Sequence, residues 1–187
     1  NETMNKVFRL FLLSCLLLTQ LLYTSCKKNN DDVDEEEQEL ITTVTLQFTN
    51  MATPDFVQSY SFKDIDGAGG SSPTIDTIRL DAITAYNMLI KVLDESKNPA
   101  VDITAEIGQE KNDHQVFYTF GSASSISSSY QDVDANGLPV GLVMQCTTQN
   151  PTATTLTVTL KHQPGIKNNS INTGETDIAV TFPVVVE

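Results

Sequence analysis

Four side chains combine the donor types and spacing that a transition metal asks for: Glu110, Asp113, His114 and His162. Imidazole and carboxylate together suit zinc or copper. If Thr104–Asp113 is helical, Glu106, Glu110 and Asp113/His114 fall on one face, one and two turns apart. His162 continues the alternating series Leu156, Val158, Leu160 and so stands at the rim of an apolar strand face. The two histidines share a site only if their strands adjoin. A solvated acidic helix with two unrelated histidines is the plainer alternative.

Asp132-Val133-Asp134-Ala135-Asn136-Gly137 has the spacing that opens a calcium-binding loop. Such a loop needs a bidentate Glu at its twelfth position, where this chain has Val143. Asn136-Gly137 between alternating runs is also a strong signal for a type I′ hairpin turn. The turn is therefore the first expectation for Asp132, Asp134 and Asn136, and calcium the second. Asp64, Asp66 and Gly67 repeat the theme more weakly. Ser122, Ser124, Ser125 and Ser127–Ser129 contain no nucleophile elbow, and neither a phosphate-cradling loop nor a dinucleotide glycine pattern is present, so no enzyme is expected. Tyr86, Tyr118 and Tyr130 could stack on sugars, but they alternate with the core residues and the chain has no Trp.

The elements that must position these groups read as strands. Apolar residues alternate at Val44, Leu46, Phe48; Phe56, Tyr60, Phe62; Ile78, Leu80; and Tyr86, Met88, Ile90, Val92. The pattern resumes at Val116, Tyr118, Phe120 and at Ile126, Ser128, Tyr130. It closes with Leu138–Cys146, Leu156–Leu160 and Ile178–Val186. Threonines fill many alternate positions, as on solvated sheet faces. Pro183 lacks an N–H and marks the last run as an edge strand. About eight or nine such strands predict an all-β antiparallel sandwich, Ig-like or another Greek key, with a closed barrel as the alternative. Only the region 102–112 suggests a short helix.

Ahead of the strands stands a different kind of sequence. Lys6 and Arg9 precede an apolar run from Phe11 to Leu22, too short to span a bilayer stably, so 1–25 reads as an export signal. Met4 reads as its natural start. Leu22-Tyr23-Thr24-Ser25-Cys26 resembles a lipobox, in which small residues precede a cysteine that takes a diacylglycerol; Tyr23 departs from the usual Leu. Leu12-Leu13-Ser14-Cys15 also fits but lies within the apolar core, and an ordinary secretory leader is the other reading. With Cys15 removed and Cys26 acylated, Cys146 is left alone, so no internal disulfide is expected. Residues 26–40 carry the lipid and an acidic tether: Lys27–Glu39 holds seven carboxylates and almost nothing to bury. The domain proper is 41–187, and about 145 residues suffice for one core. The formal charge of −13 excludes electrostatic binding of nucleic acid or an anionic membrane face.

Cys26 followed by lysines and then acids resembles the surface-export signal of Bacteroidota lipoproteins. Asp76-Thr77-Ile78 is similar to the site those bacteria O-glycosylate, which points to Thr77. Several blocks, among them Ile41–Leu46, Phe62–Gly67, Asp113–Tyr118, Asp132–Leu142, Leu160–Pro164 and Gly174–Ile178, resemble a family of small Bacteroidota lipoproteins. Some members carry a type 1 periplasmic-binding label, which belongs to a longer two-lobed α/β fold and does not transfer. The resemblance implies an outer-membrane, lipid-anchored protein facing the outside. Joined to the acidic charge and the histidines, it leads to an expected capture of a divalent metal or metal complex, delivered to a TonB-dependent transporter. The alternative is a structural or adhesive sandwich module without a small ligand.

Overall fold

The computed structural model describes residues 40–67, 69–122 and 124–187. The leader, Cys26 and the tether Lys27–Glu39 lie outside them. The folded unit, Gln38–Glu187, draws its whole core from residues 41–186.

Two sheets stack into a sandwich and do not close into a barrel. The first sheet contains β1 (Thr43–Asn50), β2 (Val57–Lys63), β3 (Thr74–Ile75), β5 (Ala85–Asp94), β6 (Val101–Asp102), β8 (Ile126–Tyr130) and β9 (Val143–Thr148). Its order is β3-β2-β1-β5-β9-β8, with β6 pairing the end of β5 beyond β9. The second contains β4 (Ile78–Leu80), β7 (His114–Phe120), β10 (Thr152–His162) and β11 (Glu175–Val186), in the order β4-β11-β10-β7. Every pairing is antiparallel except β4 with β11.

Alternation decides what is buried. Val44, Leu46 and Phe48 lie opposite Val92, Ile90 and Met88, and all six are core residues. Facing them are Val116, Leu156, Val158, Leu160, Val180, Phe182 and Val184. Each such side chain contributes about 1.5–3 kcal/mol by leaving water. Cys146 sits buried among them, the free cysteine of the described residues. Burial pushes its thiol up to about 12 and so keeps it protonated and unreactive.

The last strand departs from expectation in part. Glu187 N–H donates to Leu80 O, and Ala82 N–H donates to Glu187 O, so odd-numbered residues of β11 turn their main chain away from β10. The missing N–H of Pro183 therefore falls on the side away from β10. β11 is nonetheless not the outermost strand, because β4 covers Val184–Val186.

Among the described residues one helix, α1 (Ile103–Gln109), packs Ile103 and Ile107 into the core. Asp102 caps it by accepting the Ala105 N–H, and Glu110 ends it. The chain enters the fold at the same end, where Thr42 N–H donates to Leu93 O at 3.0 Å and Leu93 pairs with Asp102.

Candidate functional site

The register of β7 on β10 sets His114 directly opposite His162. Their rings stack with centroids 4.6 Å apart and planes inclined by 15°. His114 is held from behind by α1: its Nδ1 lies 3.3 Å from Glu110 O and 3.8 Å from Glu110 Oε2. Its side chain is 12% exposed, so the pair sits at the rim of the core rather than in open solvent.

The third strand supplies carboxylates. Glu175 pairs with His162, and a bulge lies between that pair and the regular ladder: Leu160 pairs with Ile178, but Lys161 pairs with Thr176. Asp177 is the extra residue. A bulge re-aims a side chain locally, and here both imidazoles act on Asp177. Burial raises its carboxyl above the usual range, while the nearby His114 and His162 pull it back down. Gly174, with φ at 71°, brings the β10–β11 connection so close that any Cβ would overlap the His162 carbonyl oxygen. No pattern in the sequence identified Asp177 or Glu175, because a bulge leaves no mark in alternation.

Two imidazoles and the carboxylates of Glu110, Glu175 and Asp177 are a donor set suited to zinc or copper. Among the described residues, however, no group of three or more His, Cys, Asp or Glu already stands in metal-holding geometry. Ring nitrogen lone pairs lie in the ring planes, and planes 15° apart direct them side by side rather than to one point. Binding one ion requires the rings to pivot.

Asp113 does not join them. Its carbonyl accepts the Gln163 N–H at 2.6 Å, and its Oδ1 accepts the Gly165 N–H at 3.1 Å, fixing the turn after β10. The helical face expected to carry Glu106, Glu110 and Asp113/His114 is also corrected: α1 stops at Gln109, and strand register delivers His114.

The candidate calcium loop is corrected too. Asp132 accepts the N–H groups of Gly141, Leu142 and Val143. Asp134 accepts those of Asn136 and Leu138, and its Oδ2 lies 3.0 Å from Lys167 Nζ in a fully buried ion pair. An ammonium holds the position a cation would need. The turn is three residues long, closed by Asp134 N–H to Leu138 O, with Gly137 at φ 79°. Asn136 has no positive φ, so this is the bulged three-residue loop rather than type I′.

Thr77 joins β3 to β4 at intermediate exposure, beside Asp76, whose Oδ2 accepts the Ser61 N–H. The three tyrosines face inward and offer no sugar platform. Tyr86 is buried, Tyr118 donates to Gly141 O, and Tyr130 donates to Val116 O. Among the described residues no helix is long and apolar enough to cross a membrane. No family model matches this chain, nor does any curated protein or solved structure.

Proposed function

We propose that this chain is an outer-membrane lipoprotein, held through Cys26 and facing the outside. It captures a divalent metal, zinc or copper, or a small complex of one, between His114 and His162. It passes that cargo to a transporter in the same membrane, of the TonB-dependent kind. The observation that carries the reading is the stacked histidine pair, with Glu110 beside His114 and with Glu175 and Asp177 on the adjoining strand. Its position supports the handover. The pair stands at the end of the sandwich where the chain enters at Thr42. Rings that must unstack to bind suit a site that takes up and releases metal rather than one that keeps it.

The test is metal content by plasma mass spectrometry on tag-free Lys27–Glu187, dialysed against trace zinc, copper, iron and calcium. Near-stoichiometric zinc or copper is expected, lost in H114A and H162A while their thermal midpoints stay close to the parent's. Absence of retained metal, or metal that both variants keep, overturns the reading. The adhesive-module alternative then gains, and the display of Ile83 at the far end of the sandwich, 86% exposed, favours it.

A further inference from the structure

The sheet edges of this fold are not guarded alike. β7, at one side of the second sheet, is covered at its start, where Val116 N–H donates to Val140 O and the Tyr130 hydroxyl donates to Val116 O. β11 carries Pro183, β4 is only three residues long, and β3 with Asp76 covers β2 from Ser61 to Lys63, leaving the shorter stretch Val57–Ser59 open. These are the devices by which sheets avoid joining other chains. β8 has none of them. Its five residues, Ile126-Ser127-Ser128-Ser129-Tyr130, include no charge and no proline.

Which of its groups face outward follows from pairing. Gln131 N–H donates to Val143 O and Gln149 N–H donates to Ser125 O. Odd-numbered residues therefore form the hydrogen-bonded pairs with β9, and Ile126, Ser128 and Tyr130 turn their main chain to the open side. The Ile126 N–H is taken by Ser124 Oγ at 3.1 Å. The N–H and C=O of Ser128, the N–H and C=O of Tyr130 and the C=O of Ile126 have no partner among the described residues.

We propose that two copies of this chain pair edge to edge through β8, antiparallel about a two-fold axis at Ser128. The strand is self-complementary in that register. Ser128 meets Ser128 and exchanges two main-chain hydrogen bonds. Each Tyr130 N–H meets the Ile126 C=O of the other copy, giving two more. Each Ile126 side chain comes opposite a Tyr130, the aromatic with β-branched pairing that stabilises antiparallel ladders. The charge of the molecule argues for the same edge. Copies of a chain at −13 repel one another, and β8 brings no like charges face to face.

Sedimentation equilibrium of soluble Lys27–Glu187, which carries its whole core, tests this. A five-residue pairing is small, so the chain is taken to roughly 0.5 mM, where even a millimolar Kd leaves more than a third of chains dimeric. The apparent mass should climb from one chain towards two, and the Ser128 and Tyr130 amides should gain hydrogen-exchange protection with concentration. S128P removes an outward N–H and leaves the β9 ladder whole, so it should stay monomeric at an unchanged thermal midpoint. S128K gives the same result without proline by setting two ammonium groups together at the axis. A mass fixed at one chain overturns the proposal. So does association that survives in S128P and S128K, or growth beyond two chains.

Discussion

Lys167→Met should be among the more damaging single substitutions outside the apolar core. Lys167 Nζ lies 3.0 Å from Asp134 Oδ2, with the two side chains 2% and 0% exposed, and it also donates to Lys111 O at 2.7 Å. At that separation and an effective dielectric near 20, the attraction is on the order of 5 kcal/mol, much of it offset by desolvation. Removing the ammonium strands a buried carboxylate, which costs about 3–5 kcal/mol. Asp134 keeps the Asn136 and Leu138 amides, so a loss near the lower end, about 3 kcal/mol, is expected. For a domain of this size that lowers the thermal midpoint by roughly 6–12 °C. Calorimetry of K167M, D134N and the double variant at pH 7 measures it, with a coupling of about 2 kcal/mol or more. The pH dependence has a defined sign. Burial opposes the charge on Asp134, but the Leu138 amide, Lys167 and the Asn136 amide outweigh it and hold the carboxyl below its ordinary 3.8. Its contribution is therefore complete above 3.8 and fades as pH falls through the lower folded value. The K167M deficit should shrink in acid. A deficit below about 1 kcal/mol, or no coupling, would mean the pair behaves as an exposed one and would refute the argument.

Gly174→Ala forces a side chain into a left-handed conformation against the His162 carbonyl. A loss of at least about 1–3 kcal/mol is expected, together with changed imidazole proton resonances for both histidines; unchanged spectra would detach Gly174 from the pair. Ile83→Asn should stabilise. A β-branched residue at φ 55° is strained by about 1–2 kcal/mol and, being 86% exposed, has little packing to lose. A urea midpoint that falls would show that Ile83 is held by more than its backbone.

The nine alternating runs of the sequence mark the nine longer strands, because inward residues such as Val44, Leu46 and Phe48 need a buried face whatever strands they meet, although Phe56 stands exposed ahead of β2 and Leu138–Leu142 is irregular chain ahead of β9. β3 and β6 were not legible, since two residues carry no period. The helix was legible as a region but not in extent: the Glu110-Lys111-Asn112-Asp113 segment looks helical in composition, but it forms a turn after the Glu110 cap, with Asp113 N–H donating to Glu110 O. The juxtaposition of His114 and His162 could not be read at all. It rests on β7 choosing β10 at one register, a pairing between residues 48 apart in sequence. Asp134 was legible as a carboxylate in a turn, but its partner Lys167 comes from the far side of β10, so an ion pair looked like half of a calcium loop.

The bulge separates the needs of the fold from those of the site. On either side of Asp177 the ladder is in order: Ile178 faces Leu160, Thr176 faces Lys161 and Glu175 faces His162. Deleting Asp177 would join these pairs into one regular run and leave the histidine stack its backbone support. The main chain gains by this, because an unpaired residue is removed and a half-buried carboxyl whose ionisation burial disfavours goes with it. Stability should therefore hold or rise, by up to about 1 kcal/mol. If the bulge exists to bring a carboxylate to the imidazoles, metal retention should fall in the same variant by tenfold or more, as when a group that supports a metal ligand is lost. D177N, which keeps the bulge and removes only the charge, should lose metal comparably. A deletion that unfolds the domain would show the bulge to be structural. Retention unchanged in both variants would leave the two histidines, with Glu110 and Glu175, as the whole of the site.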